Sequence, residues 1–221
     1  MTVAEELPNR DHMFPSGALY SDEPPFESDL HRLQMTLLIE CLELWWQDRN
    51  DFYVTGNLKV FYSRTQPTSE QFRNPDFLVV LDTERKPRRS WAVWKEFGKY
   101  PNVIIELLSN FTAHIDKGLK KEIYQNTFRV IEYFWFDPCT LEIAGFSLVG
   151  GVYKDMKPND RGWFWSKQLE LFLGIDAGKL RYFTSDGQLV PTQAEMLSQQ
   201  KEQCDRLAGK LRELGVDPDA I

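Results

Sequence analysis

The sequence predicts a single α/β domain. Three short apolar runs, at 76–82, 103–108 and 130–136, have the length and the aliphatic or aromatic content of buried strands, and two stretches of helical pattern lie before and among them. At 221 residues, with 42% hydrophobic and 14% aromatic content, the chain can close one sizeable core, whereas two full domains would be crowded.

Residues 1–27 are rich in Pro, Asp, Glu and Ser, lack periodicity and read as an extended lead-in. Ser28 is a suitable N-cap for a helix to about Gln47, with Leu30, Leu33, Leu37, Leu38, Cys41, Leu42, Leu44 and Trp45 forming a wide apolar face. Strands at 52–54 and 58–62 flank Gly56-Asn57, a pair suited to a tight turn, so a hairpin is expected there. The runs 76–82 and 103–108 are expected as sheet neighbours. Between them, Arg85-Lys86-Pro87-Arg88-Arg89 reads as a loop leading into an aromatic stretch through Trp91 and Trp94.

Good helix formers run from Ala113 to Asn126, with Asp116 in the first turns, and Asp137-Pro138 stops the strand that follows. Gly150-Gly151 turns a hairpin of strands at 141–148 and 152–153. After apolar fragments at 163–165 and 169–173, a last hairpin is expected over 180–190 around Asp186-Gly187. Thr192-x-x-Glu195 is a capping-box pattern opening a C-terminal helix, in which Leu197, Cys204, Leu207, Leu211 and Leu214 make a narrow seam at a/d spacing. That seam must pack either on its own domain or on another chain; a second copy, giving a homodimer or higher oligomer, is the expectation. The expected organisation is a lead-in over 1–27, a domain over 28–190 and an oligomerising helix over 191–221.

Net charge is −7, so no overall positive field draws the chain to nucleic acid or an anionic membrane, and any phosphate must be held locally. The N-terminus lacks a signal-peptide pattern, and no apolar run approaches the roughly 18 residues of a membrane span. A cytoplasmic location is expected. Cys41, Cys139 and Cys204 are far apart, without a Cys-x-x-Cys pair, and read as reduced. A Gly-rich phosphate loop, a Gly-x-Ser-x-Gly elbow and a Cys-His arrangement are all missing, which ranks other enzyme classes last.

The residue most out of place is Glu106, flanked by Ile and Leu in an expected central strand. A buried carboxylate pairs with a cation, binds a metal or becomes neutral. Asp76 opens the preceding buried strand, and two such strands side by side would bring both acids to one end of the sheet, where they could chelate a hard divalent cation. The same residues also fit a structural ion pair and a loop cap. Asp116, Lys120 and Tyr124, spaced by four, share one helix face, as a site or as a solvated acid-lysine pair. His31, near Glu27 and Asp29, is a third ligand, a base or a helix-surface histidine.

As an ordered set, Pro75-Asp76, Glu106-Leu-Leu-Ser109, Thr112, Asp116-x-x-x-Lys120-x-x-x-Tyr124 and Glu132-Tyr-Phe-Trp-Phe-Asp-Pro138 resembles the Uma-two family of the PD-(D/E)XK restriction-endonuclease-like superfamily, over roughly residues 28–155. The resemblance implies a restriction-endonuclease-like mixed central sheet flanked by helices, and a magnesium-dependent phosphodiesterase site in which manganese can substitute. Carried over by position, Asp76 is the acid of the PD element and Glu106 that of the (D/E)XK element. The superfamily's lysine stands two residues beyond the acid, where this chain has Leu108. The Uma-two pattern implies Lys120 as its replacement, with Asp116 and Tyr124 supporting it and touching phosphate.

The leading expectation is therefore a metal-dependent endonuclease acting on nucleic acid, DNA foremost. The alternative is a non-catalytic nucleic-acid-binding or oligomeric assembly protein that keeps the fold, which the acidic charge and Leu108 favour. The loop 85–89, with Lys117 and Lys121, either follows a nucleic-acid backbone or is a solvated surface.

Overall fold

The computed structural model describes residues 29–63, 72–109, 113–214 and 217, so the lead-in, the Ser28 cap and Thr112 lie outside the described residues. In chain order the elements are α1 (Asp29–Trp45), β1 (Phe52–Gly56), β2 (Val60–Phe61), β3 (Phe72–Arg73), β4 (Phe77–Leu81), β5 (Trp91–Ala92) and β6 (Val103–Leu107). A composite helix α2 over 113–128 follows, then β7 (Glu132–Phe136), β8 (Ile143–Val149), β9 (Val152–Asp155), β10 (Phe164–Ser166), β11 (Leu171–Asp176), β12 (Lys179–Phe183) and α3 (Gln193–Glu213).

Six strands form the central sheet in the order β1-β4-β6-β7-β8-β9. Every neighbouring pair is antiparallel except β6 and β7, which are parallel and joined through α2, as a parallel pair requires. The sheet is thus mixed, as expected for the restriction-endonuclease-like arrangement. Alternation along β6 divides the interior into two layers. Val103, Ile105 and Leu107 enter a core shared with α1 and the antiparallel β10-β11-β12 sheet, while Ile104 enters a second core with Tyr124, Phe128, Tyr133 and Phe146.

The structure corrects three expectations. Residues 52–62 do not form a hairpin: β1 pairs with β4, Gly56 opposite Phe77, while β2 joins β3 and β5 in a separate small sheet. The Asn57 N–H, at φ 51, bonds the carbonyls of Pro75 and Asp76, so the presumptive turn is spent on the approach to β4. The late hairpin is β11–β12, turned at Ala177-Gly178, where both residues have positive φ as a tight hairpin demands. Asp186-Gly187 only folds the chain back for a single bridge between Phe183 and Leu189.

The third correction concerns the face of α1. Leu38, Cys41 and Leu42 are buried as expected, but Leu30, Leu33 and Trp45 are exposed and the polar Gln34 is buried. Its side-chain amide donates to the Leu180 carbonyl at 2.9 Å and accepts from the Leu180 N–H at 3.0 Å. Gln34 therefore acts as an extra peptide group docking α1 on β12, which satisfies both of its polar ends.

Two further acids fix the periphery. Glu132 is buried at the start of β7, where it accepts from the Ser166 hydroxyl and from the Lys167 N–H at 2.8 Å, tying β10 to the sheet. The expected capping box of Thr192 and Glu195 starts α3, and Arg181 clamps Glu195 with bonds of 2.9 and 2.7 Å, which hold its carboxyl down at about 2. Beyond that clamp no residue of α3 is buried, and Leu197, Leu207 and Leu214 are exposed. Among the described residues, no helix is long and apolar enough to cross a membrane.

Removing the Glu132 carboxylate leaves the buried Ser166 hydroxyl and the Lys167 N–H without their acceptor. Glu132→Ala is expected to lower unfolding stability by about 2–4 kcal/mol in urea titration, and Glu132→Gln, which keeps an acceptor, by clearly less. Equal losses for the two would show that the acceptor is not what ties β10 to the sheet.

Candidate active site

The antiparallel pairing of β4 and β6 sets Phe77 opposite Ile105, so the residue just before β4 stands opposite Glu106. That residue is Asp76. Its Oδ2 accepts from the Leu107 N–H at 2.8 Å, and its own N–H points at Glu106 Oε2 at 3.4 Å. Each acid is thus positioned partly by the backbone beside the other. Gly56 permits the close packing around them, because a Cβ there would stand 2.7 Å from the Asp76 carbonyl oxygen and 2.2 Å from Met35 Sδ.

Helix α2 delivers the remaining groups. It alternates α turns at Ala113–Ile115 and Lys121–Ile123 with π turns at Asp116–Lys120 and Tyr124–Phe128, and the last turn ends at Arg129 in the left-handed region. Such wide turns are uncommon and gather at functional sites. Here they accompany the convergence of the three residues spaced by four. Lys120 Nζ lies 2.9 Å from Glu106 Oε2 and 2.7 Å from Asp116 Oδ1, and the Tyr124 hydroxyl donates to Glu106 Oε1 at 2.6 Å. Tyr133, from β7, donates its hydroxyl to the Asp116 carbonyl at 2.8 Å and fixes the helix over the sheet.

Burial governs the electrostatics. Glu106 is fully buried and Asp116 is 1% exposed, while Asp76 and Lys120 keep partial access to solvent. Desolvation pushes the Glu106 carboxyl up to about 7, Lys120 opposes that rise, and the charge of Asp76 adds to it. Asp76 is raised for the same first reason, against the pull of Lys120. Burial alone would lower Lys120, but Glu106, Asp116 and Asp76 outweigh it and hold the ammonium group protonated. Three acids therefore surround one lysine, leaving an excess of negative charge when all are ionised.

His31 reaches the same strand end. Its Nε2 donates to the carbonyls of Leu107 and Leu108, each at 3.0 Å, joining the start of α1 to the end of β6. Leu108 is itself buried and apolar, and its N–H bonds the Phe136 carbonyl. Ligation at this site is limited: among the described residues, no group of three or more His, Cys, Asp or Glu side chains is arranged to hold a metal ion. What the geometry offers is two adjacent carboxylates, hard oxygen donors whose protein partners are Lys120 and Tyr124 on Glu106 and the Leu107 N–H on Asp76.

The basic loop does not belong to this site. It follows β4 at the strand end opposite Asp76, about 16 Å or more away along a five-residue strand. Arg85 pairs with Glu43, Lys86 with Glu84 and Arg88 with Glu96, so most of its charge is spent locally. A cavity lined by Glu43, Phe52, Tyr53, Arg85 and Pro87 opens at that same distant end. Lys117 and Lys121 instead sit on α2, with their ammonium groups 4.1 Å from the ring centre of Trp135 and 3.4 Å from that of Phe146. Sequence reasoning missed Tyr133 and Trp135 as neighbours of the acids. Only the β6–β7 register, which sets Trp135 beside Glu106, reveals the second.

A solved structure from Anabaena variabilis, titled a putative nuclease belonging to DUF820, is 10% identical and superposes with a TM-score of 0.48, covering 66% of this chain and 76% of the other. No curated protein matches. The family described as "Uma2: Putative restriction endonuclease" matches residues 5–178, and the chain belongs to that family.

Proposed function

We propose that the chain is a magnesium-dependent endonuclease that hydrolyses phosphodiester bonds in nucleic acid, with DNA as the foremost substrate. The observation that carries this reading is the set of acids, Asp76, Glu106 and Asp116, gathered around the single ammonium group of Lys120 at one end of the sheet. In this reading Asp76 and Glu106 hold the metal, with manganese as an acceptable substitute. Bound there, the ion would polarise a phosphoryl oxygen and lower the pKa of a coordinated water.

The protein's own groups divide the remaining work. Lys120 stays protonated, so it serves as a fixed positive charge against the negative charge developing on phosphate, and not as the base. Asp116 holds that ammonium in place, and the Tyr124 hydroxyl orients Glu106 by donating to its second oxygen. His31 braces the end of β6 through two carbonyls. Residues 28–190 form the nuclease domain in this proposal. A cytoplasmic location accords with the free cysteines Cys41, Cys139 and Cys204.

A second reading, a nucleic-acid-binding or assembly protein that keeps the fold without catalysis, draws on Leu108 and on the net charge of −7. Metal titration separates the two. Calorimetry is expected to show magnesium or manganese binding to the wild type and its loss in both Asp76→Asn and Glu106→Gln, changes that preserve side-chain size. Unchanged affinity in both variants would remove the metal site.

Lys120→Met is expected to reduce cleavage of supercoiled DNA by at least about 100-fold while metal binding persists, with circular dichroism checking the fold. Cleavage at the wild-type rate would refute the role given to this lysine. No cleavage by the wild type, with either metal on DNA or RNA, would favour the second reading.

The same proposal makes the protein a homodimer through α3, whose seam residues Leu197 and Leu207 stand in solvent beyond the Arg181 clamp. A two-fold pair of sites would address the two antiparallel strands of a duplex. Light scattering is expected to show a dimer for the wild type and a monomer for the Leu197→Lys, Leu207→Lys double variant. A dimer in both would place the interface elsewhere, and a wild-type monomer at high micromolar concentration would end the proposal.

A further inference from the structure

We infer that Trp135 and Lys117 form a subsite for a single nucleic-acid strand, in which an unstacked base lies on the indole and a flanking phosphate meets the ammonium group. The inference rests on the nuclease reading of Asp76, Glu106 and Lys120, and it names the form of nucleic acid that this site takes.

Three observations carry it. First, β6 and β7 are parallel with Glu106 in register with Trp135, so the two side chains stand on the same face of neighbouring strands. Ala144 of β8 is the next residue in that row, and it packs with Trp135 against the edge of the second core. Second, Trp135 keeps partial access to solvent, whereas Tyr133 two residues earlier and Phe146 on β8 are buried in the core under α2. Lys121 caps a buried ring and Lys117 caps an accessible one. Third, Lys117 is exposed and its flexible arm can lift away, exchanging its contact with the ring for a base on the ring and a phosphate at Nζ.

Strand form follows from chemistry. Inside a duplex both faces of each base are covered by neighbouring bases, so a protein aromatic gains a stacking partner only when a base is unpaired, terminal or flipped. Charge points the same way. A duplex carries about twice the negative charge per unit length of a single strand, and the chain as a whole is at −7. Among the described residues, the lysines near the acids come from one helix: Lys120 is held by Glu106 and Asp116, leaving Lys117 and Lys121 to meet flanking phosphates. The basic loop at 85–89, which could have supplied more, is at the opposite end of the sheet.

The test uses the full chain and fluorescein-labelled oligonucleotides of twelve nucleotides, one a thymidine homopolymer and one a blunt duplex of equal length. Binding is followed by anisotropy and cleavage by gel. The wild type is expected to favour the single strand. Trp135→Leu, which fills space but offers no π face, is expected to weaken single-strand binding at least about fivefold and to raise KM more than it lowers kcat, while Trp135→Phe stays within about twofold of wild type. Lys117→Met is expected to flatten the salt dependence by about one charge. Single-strand affinity unchanged in Trp135→Leu, or a wild-type preference for duplex, would overturn the inference and leave the nuclease reading standing. A wild type that binds and cuts neither oligonucleotide would overturn both.

Discussion

The ammonium group of Lys120, shared between Glu106 and Asp116 at 2.9 and 2.7 Å, is the contact on which the rest of the structure turns. Placing two carboxylates in a protein interior costs several kcal/mol unless each is paired and hydrogen-bonded. One lysine serves both, the Tyr124 hydroxyl takes up the second oxygen of Glu106, and Tyr133 secures the helix that carries the lysine. The price of this economy is residual negative charge. Burial and the nearby charge of Asp76 hold the Glu106 carboxyl at about 7 despite its lysine partner, so the site is left underneutralised by its own side chains.

Location of that charge follows from strand direction. An antiparallel pair brings the start of β4 against the end of β6, and the parallel step to β7 carries the same row on to Trp135. Had β4 and β6 run parallel, Asp76 and Glu106 would stand at opposite strand ends and no joint site would exist. The sheet is consequently polar along its length. One end holds the acids, Lys120 and the accessible indole, while the other holds Glu132 with the Ser166 segment and the internally paired arginines.

The periphery is built by polar groups acting as surrogate backbone. Gln34 replaces a strand neighbour for Leu180, Glu132 collects donors from residues 166–167, and Arg181 ties the first turn of α3 to β12. These attachments add polar ties at the edges of the apolar core that the six-stranded sheet already shares with the second antiparallel sheet, and they anchor the first turn of the terminal helix. They also fix the direction in which α3 leaves the domain, with Leu197, Leu207 and Leu214 of its seam exposed among the described residues.

By itself the sequence determined most of the element types, the anomaly of Glu106, the shared face of Asp116, Lys120 and Tyr124 and the capping box of α3, because each is written in local spacing: an acid inside an apolar run, residues repeating by four, Thr192 three places before Glu195. The ordered motif also carried the family. Tertiary structure decided what local spacing cannot encode. Gly56-Asn57 has the chemistry of a hairpin turn, yet hydrogen bonds from Asn57 to residues 75 and 76 sent β1 to β4. Leu30 and Leu33 have helical periodicity, yet the docking of Gln34 on β12 set the buried face of α1. The cluster at 85–89 is basic in composition, but Glu43, Glu84 and Glu96 neutralise much of it and the strand that precedes it carries it away from the site. Trp135 lies in an apolar run like any core residue, and only the register of two parallel strands sets it beside Glu106.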